Sequence, residues 1–85
     1  MRDLSKVRIN IIGDEDGYTL TAFNLSTHAK KVWRFDMRKG NPDQYVKYRL
    51  DMKPTTRTHE VIEVAYGFDE WVDLHADEFA QMVNA

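Results

Sequence analysis

The stretch HEVIEVAYGFDEWVDLHADEFAQMV, residues 59–83, changes rhythm at Gly67. Up to that point apolar side chains recur at every second position, Ile62, Val64 and Tyr66, with Glu63 and Ala65 between them. That is the period of a strand with one face buried. From Phe68 the period becomes helical. Phe68, Trp71, Val72, His75, Phe79, Met82 and Val83 fall within a sector about 120° wide at helical spacing. Asp69, Glu70, Asp73, Asp77, Gln81 and Asn84 occupy the opposite side. Two acids in the first turn suit the positive end of the helix dipole, and the glycine marks the boundary.

Working backwards from this junction, the two-residue rhythm repeats. Val7, Ile9 and Ile11 alternate with Arg8 and Asn10; Trp33, Phe35 and Met37 alternate with Arg34, Asp36 and Arg38; Val46, Tyr48, Leu50 and Met52 alternate with Lys47, Arg49 and Asp51. Tyr18 to Leu25 is also rich in strand formers, but its inward side is divided: Tyr18, Leu20 and Ala22 point one way, Phe23 and Leu25 the other, which a β-bulge would reconcile. Polar turns separate the runs: Gly13 to Gly17, Ser26 to Lys30, Lys39 to Gln44 with its Gly, Asn, Pro and Asp, and Lys53 to Thr56. Residues 27–38 also admit a helix with Ala29, Val32, Trp33 and Met37 on one side, but Phe35 falls off that side and the alternation favours a strand.

The sequence therefore predicts one α+β domain spanning residues 1–85. It has strands at about 6–12, 18–25, 31–38, 45–52 and 59–66, and a helix at about 68–83. These build an antiparallel four- to five-stranded sheet with one C-terminal amphipathic helix on one face and water on the other. Its 85 residues bury only about 60% of the unfolded surface, so the core is thin. The chain has no cysteine, which excludes disulfides and cysteine zinc sites. No run is long and apolar enough to span a membrane, and Met1 to Lys6 lack the apolar stretch of a signal peptide. The expected compartment is the cytoplasm. Asn24-Leu25-Ser26 matches a glycosylation sequon, read as a chance match.

The net charge of −2 conceals a segregation. Residues 27–58 hold nine Lys and Arg against three Asp; residues 59–85 hold seven Asp and Glu and no Lys or Arg. Separation on this scale points to a charged partner. Pairing apolar with apolar across the 39–44 turn puts Trp33 opposite Leu50, Phe35 opposite Tyr48 and Met37 opposite Val46. Arg34 then meets Arg49 on the wet face, and a shift of two residues sets Arg38 against Lys47 instead. Every register of this type leaves one basic–basic pair, which a bound anion would relieve. Arg8, Arg34, Arg38, Lys47 and Arg49 are thus the candidate anion-binding set. Against a nucleic-acid role, Tyr45 is the single aromatic expected to face outward.

The second candidate surface is the acidic side of the helix, Asp69, Glu70, Asp73 and Asp77, suited to a basic groove on another protein. No catalytic residue is assigned, and no metal or cofactor is expected. His59-Glu60-Val61-Ile62-Glu63 lacks the second histidine of a zinc-protease helix, Asp14 to Gly17 lacks calcium-loop spacing, and His28, His59 and His75 share no ligand spacing. His75, on the apolar side of the helix, reads as a boundary residue. The functional expectation is a non-enzymatic adaptor or inhibitor that occludes a macromolecular partner, such as a phage or mobile-element accessory protein blocking a nucleic-acid-binding host protein. The alternative is nucleic-acid or polyanion binding by the sheet. A homodimer through residues 18–25 is the further expectation, since open sheets leave edges.

Overall fold

The computed structural model describes residues 6–84. Five strands, β1 (Val7–Asp14), β2 (Gly17–Asn24), β3 (Lys30–Arg38), β4 (Asn41–Arg49) and β5 (Glu60–Glu63), precede one helix, α1 (Phe68–Asn84), and a 3-10 turn at Pro54–Thr56 leads into β5. The strands pair antiparallel in sequence order, β1-β2-β3-β4-β5. The α+β class and the C-terminal helix on the sheet are as the sequence predicts. Among the described residues, no helix is long and apolar enough to cross a membrane.

The helix lies chiefly over β2, with β1 and β3 to either side. Leu20 and Phe35 are fully enclosed beneath it, together with Ala22, Trp33, Tyr45 and Val64 from the sheet side and Phe68, Val72, Phe79 and Val83 from the helix. Aromatic rings make up much of this thin core. Phe68 stacks on Tyr18 with ring centroids 4.2 Å apart, and Trp33 meets Phe79 edge to face at 4.9 Å. Each ring supplies more buried area than an aliphatic side chain, which suits a short chain. At the C-terminal end of the helix the Asn24 amide donates to Asn84. Asn24 is itself buried, and its side-chain oxygen accepts from the backbone N–H of Ser26 (2.8 Å) and Thr27 (2.9 Å). The sequon asparagine is thus committed to the β2–β3 turn and the helix end.

Three expectations about the sheet are corrected. First, β2 has no bulge: its ladders to β1 and β3 run unbroken, with Tyr18, Leu20 and Ala22 under the helix and Phe23 on the outer face. Leu25 lies in the turn beyond the strand, exposed. Second, β2 is an interior strand; the edges are β1 and β5, so residues 18–25 present no edge to another chain. Third, β4 is turned over. Its register sets Trp33 opposite Arg49, Phe35 opposite Lys47 and Met37 opposite Tyr45, so Tyr45, Lys47 and Arg49 face the helix side while Val46 and Tyr48 face out.

The inversion originates at an irregularity between Met37 and Arg38, where the partner on β4 jumps from Tyr45 to Asn41. Pro42 sits in the skipped segment and has no N–H to give to a ladder. The Asp43 carbonyl instead accepts from Val64 N–H at 2.7 Å, beyond the end of β5. Once turned, β4 is stabilised on both faces. Tyr45 enters the core beside Tyr18 and Phe68, at 6.0 and 5.7 Å between centroids. Lys47 and Arg49 lay their alkyl stems along the sheet and bring their cations over the rings of Phe79 (5.6 Å) and Trp33 (5.4 Å). Leu50, Met52 and Tyr66, expected inside, follow their strands as exposed residues.

Candidate protein-binding surface

The helix places its acids as its period dictates. Asp69, Glu70, Asp73, Asp77 and Glu78 are all exposed, and the last turn carries no basic residue. Among the described residues, none of these acids takes part in an ion pair; the four pairs present are Arg34–Asp14, Arg34–Asp36, Lys47–Glu60 and Arg49–Asp51. The acidic face is therefore uncompensated. In its middle stands Leu74, 74% exposed. At helical spacing it has Glu70 one turn before it, Asp77 and Glu78 one turn after, and Asp73 beside it. An apolar side chain ringed by charge has the make-up of a small interface: a central anchor with a polar rim. Sequence reasoning missed Leu74, an apolar residue on the acidic side of the helix, and Glu78, which at helical spacing falls at the border of the apolar sector. The signal was present: Leu74 lies about 160° around the helix from Val72.

On the neighbouring flank of the helix, His75 stacks on Trp71 with centroids 4.2 Å apart, and its Nδ1 lies 2.7 Å from the Trp71 carbonyl oxygen. It is a boundary histidine with a local partner. Among the described residues, no group of three acids or histidines is arranged to hold a metal ion.

The five residues of the expected anion-binding set are not brought together. Lys47 and Arg49 lie on the helix side of the sheet, whereas Arg8 and Arg34 lie on the outer face, and Arg38 donates to Gln44 at 2.8 Å. Arg34 and Arg49 are thus on opposite faces, and the basic–basic pair predicted from the alternation does not form.

Arg34 instead centres a closed network. Its side chain is only 11% exposed. Nη1 and Nη2 each donate to a different oxygen of Asp14 at 2.8 Å, Nε donates to Asp36 at 2.6 Å, and Nη1 also reaches the Thr19 hydroxyl at 3.1 Å. The Tyr48 hydroxyl donates to the second Asp36 oxygen at 2.7 Å. The Arg34 hydrogen bonds hold the Asp14 carboxyl far below its ordinary range, helped by the Asp16 N–H, and Asp14 in turn raises the Arg34 guanidinium further. Burial raises the Tyr48 phenol, with the Asp36 bond adding to it. With both carboxylates already engaged, the arginine has little left to offer a ligand. Beside it an open cleft of about 620 Å³ lies between the β1–β2 and β3–β4 turns, lined by Glu15 and Asp16 on one wall and Arg38 and Lys39 on the other.

Tyr45, the expected outward aromatic, is buried in the core, and burial raises its phenol pKa. Tyr48 replaces it on the outer face, but its ring is occupied by Arg57 (5.5 Å) and by His59 (4.8 Å). Tyr48 therefore offers no free ring face for base stacking.

No protein-family model, curated protein or solved structure matches this chain. The functional reading therefore rests on the surface itself.

Proposed function

We propose that this domain is a non-enzymatic adaptor or inhibitor that works by contact, laying the outer face of α1 over a basic surface of another protein. The observation that carries this reading is Leu74, 74% exposed among Glu70, Asp73, Asp77 and Glu78, which have no ion-pair partners among the described residues. An exposed leucine on a soluble face is common; one enclosed by uncompensated charge of a single sign is suited to a partner with an apolar recess rimmed by Lys or Arg. Long-range attraction would orient the encounter, and Leu74 would hold the complex once the water is expelled. A groove that normally holds nucleic acid has that character, and covering it would block access by occlusion.

The test is site-specific photo-cross-linking in the native host, with the cross-linker at position 74 and, as a control, at position 53, an exposed residue of the connection between β4 and β5. A basic protein captured at 74 only, and lost in the Asp73→Lys/Asp77→Lys variant, would support the reading. Equal capture at both positions, or capture indifferent to the charge reversal, would remove it.

A further inference from the structure

The edges of the sheet are unequal. β5 is four residues long and carries Glu60 and Glu63 at its two ends. Short, charged edges resist pairing with other strands. β1 is longer, and its charges are confined to its ends. It is eight residues long, without proline, and the run Ile9-Asn10-Ile11-Ile12-Gly13 is uncharged. Ile12 is 61% exposed on the outer face, and Val7, Ile9 and Ile11 are only partly covered on the helix side.

The backbone of β1 is set in phase for a further strand. The N–H of Leu25 donates to the Lys6 carbonyl at 2.8 Å, which makes Lys6, Arg8, Asn10, Ile12 and Asp14 the residues bonded to β2. The N–H and C=O groups of Val7, Ile9, Ile11 and Gly13 therefore point to the open side. Charge completes the pattern. Lys6 and Arg8 open the strand, and Asp14, Glu15 and Asp16 close it. A strand that is basic at one end and acidic at the other complements a reversed copy of itself.

We propose that β1 pairs antiparallel with β1 of a second copy of this chain, centred on Ile11. In this register Ile11 meets the partner's Ile11 across the two-fold axis and Ile9 meets the partner's Gly13, all through outward-pointing backbone groups. On the outer face Arg8 lies opposite the partner's Asp14, and Lys6 opposite the partner's Asp16. The in–out alternation is preserved, so Val7, Ile9 and Ile11 extend the core across the junction and the two helices stand on the same side of a ten-stranded sheet. The pairing uses the opposite strand edge from β5 and is independent of the surface proposed on α1.

Sedimentation equilibrium on the whole chain, up to about 1 mM, tests the association. The expected result is a monomer–dimer equilibrium that Arg8→Glu weakens about tenfold at low salt, because two attractive cross-strand pairs become repulsive. Arg8 is exposed, so circular dichroism should be unchanged. The edge is tested separately by Ile11→Cys in this cysteine-free chain. Opposed residues at the centre of an antiparallel pair stand within disulfide reach, so mild oxidation should give a covalent dimer, and Val61→Cys on β5 should not. A wild-type monomer at every concentration, a dimer indifferent to Arg8→Glu, or cross-linking at 61 in place of 11 would overturn the proposal.

Discussion

Arg34 and Asp14 are joined by two parallel hydrogen bonds, Nη1 to Oδ2 and Nη2 to Oδ1, both 2.8 Å long. The pair ties the middle of β3 to the turn that closes the β1–β2 hairpin. Asp14 Oδ1 also accepts from the backbone N–H of Asp16 (2.8 Å) and Gly17 (3.0 Å), so one carboxylate shapes the turn and anchors it to the next strand. The Asp16 carbonyl then accepts from Met37 N–H at 2.8 Å, beside the irregularity that inverts β4.

Removing the guanidinium should loosen this corner. Arg34→Met keeps the alkyl volume but leaves Asp14 and Asp36 facing each other without a cation. Because both carboxylates are partly exposed and can recruit water, the expected loss is about 1–3 kcal/mol, less than for a fully buried pair. Urea unfolding measures it. Stability within experimental error of wild type would show that the network is ornamental to the fold.

Stability should fall on both sides of neutrality. The Asp14 and Asp51 carboxyls are held low in the folded state, first by the Arg34 and Arg49 hydrogen bonds respectively, so the folded chain binds fewer protons than the unfolded one. Their contribution is present above the ordinary aspartate pKa of about 4 and is lost as pH falls through the lower folded values. Tyr45 and Tyr48 are raised, first by burial, so their contribution is present below about pH 10 and is lost as pH rises through the folded values. Melting temperature against pH should show both limbs. Asp14→Asn should flatten the acid limb and Tyr48→Phe the alkaline one.

The inversion of β4 makes a contrast that alternation alone would reverse. Tyr45→Ala empties a core position beside the stacked Tyr18 and Phe68 and should cost about 3 kcal/mol or more. Leu50→Ala, at a position already open to water, should cost under about 1 kcal/mol. Equal losses in thermal unfolding would count against the observed register.

Gly17 is bound to its residue type by its backbone. Its φ of +152° is one that side chains rarely adopt, and a Cβ would stand 1.9 Å from the Phe35 carbonyl oxygen. Gly17→Ala should therefore destabilise by about 1–3 kcal/mol, in the same assay, through strain and displacement of β3.

Leu74→Ala separates binding from folding. The side chain contributes little to the core at its exposure, so stability should stay within about 0.5 kcal/mol of wild type. Affinity for a partner captured at position 74 should drop about tenfold or more, as for an interface anchor. A loss of stability without a loss of affinity would assign the leucine to the fold.

The helix was legible in its period, Met82, expected on the buried side and 43% exposed, being an exception. Phe68, Val72, Phe79 and Val83 are buried, and Asp69, Glu70, Asp73 and Asp77 are exposed, because a helix obeys its own period whatever it packs on. The same was true of Val7, Ile9 and Ile11, and of Trp33 and Phe35. The alternation of β4 was equally clear and pointed the wrong way. Lys47 and Arg49 looked like surface residues because side-chain type was taken to indicate direction; in fact their stems are apolar and their cations rest on Phe79 and Trp33. Arg34 looked like an anion site for want of knowing that Asp14, twenty residues away, would reach it.

Local pattern alone determined that this chain makes strands before Gly67 and a helix after it, since spacing along one segment decides which of its side chains share a face. Which way β4 turns, which strands lie at the edges and which charges meet were decided only in three dimensions. A slip of one residue in a ladder leaves the segment's own pattern untouched and exchanges its faces, and that choice depends on partners distant in the chain: Pro42 breaking the ladder, Tyr45 filling the core, and Tyr48 closing the Arg34 network.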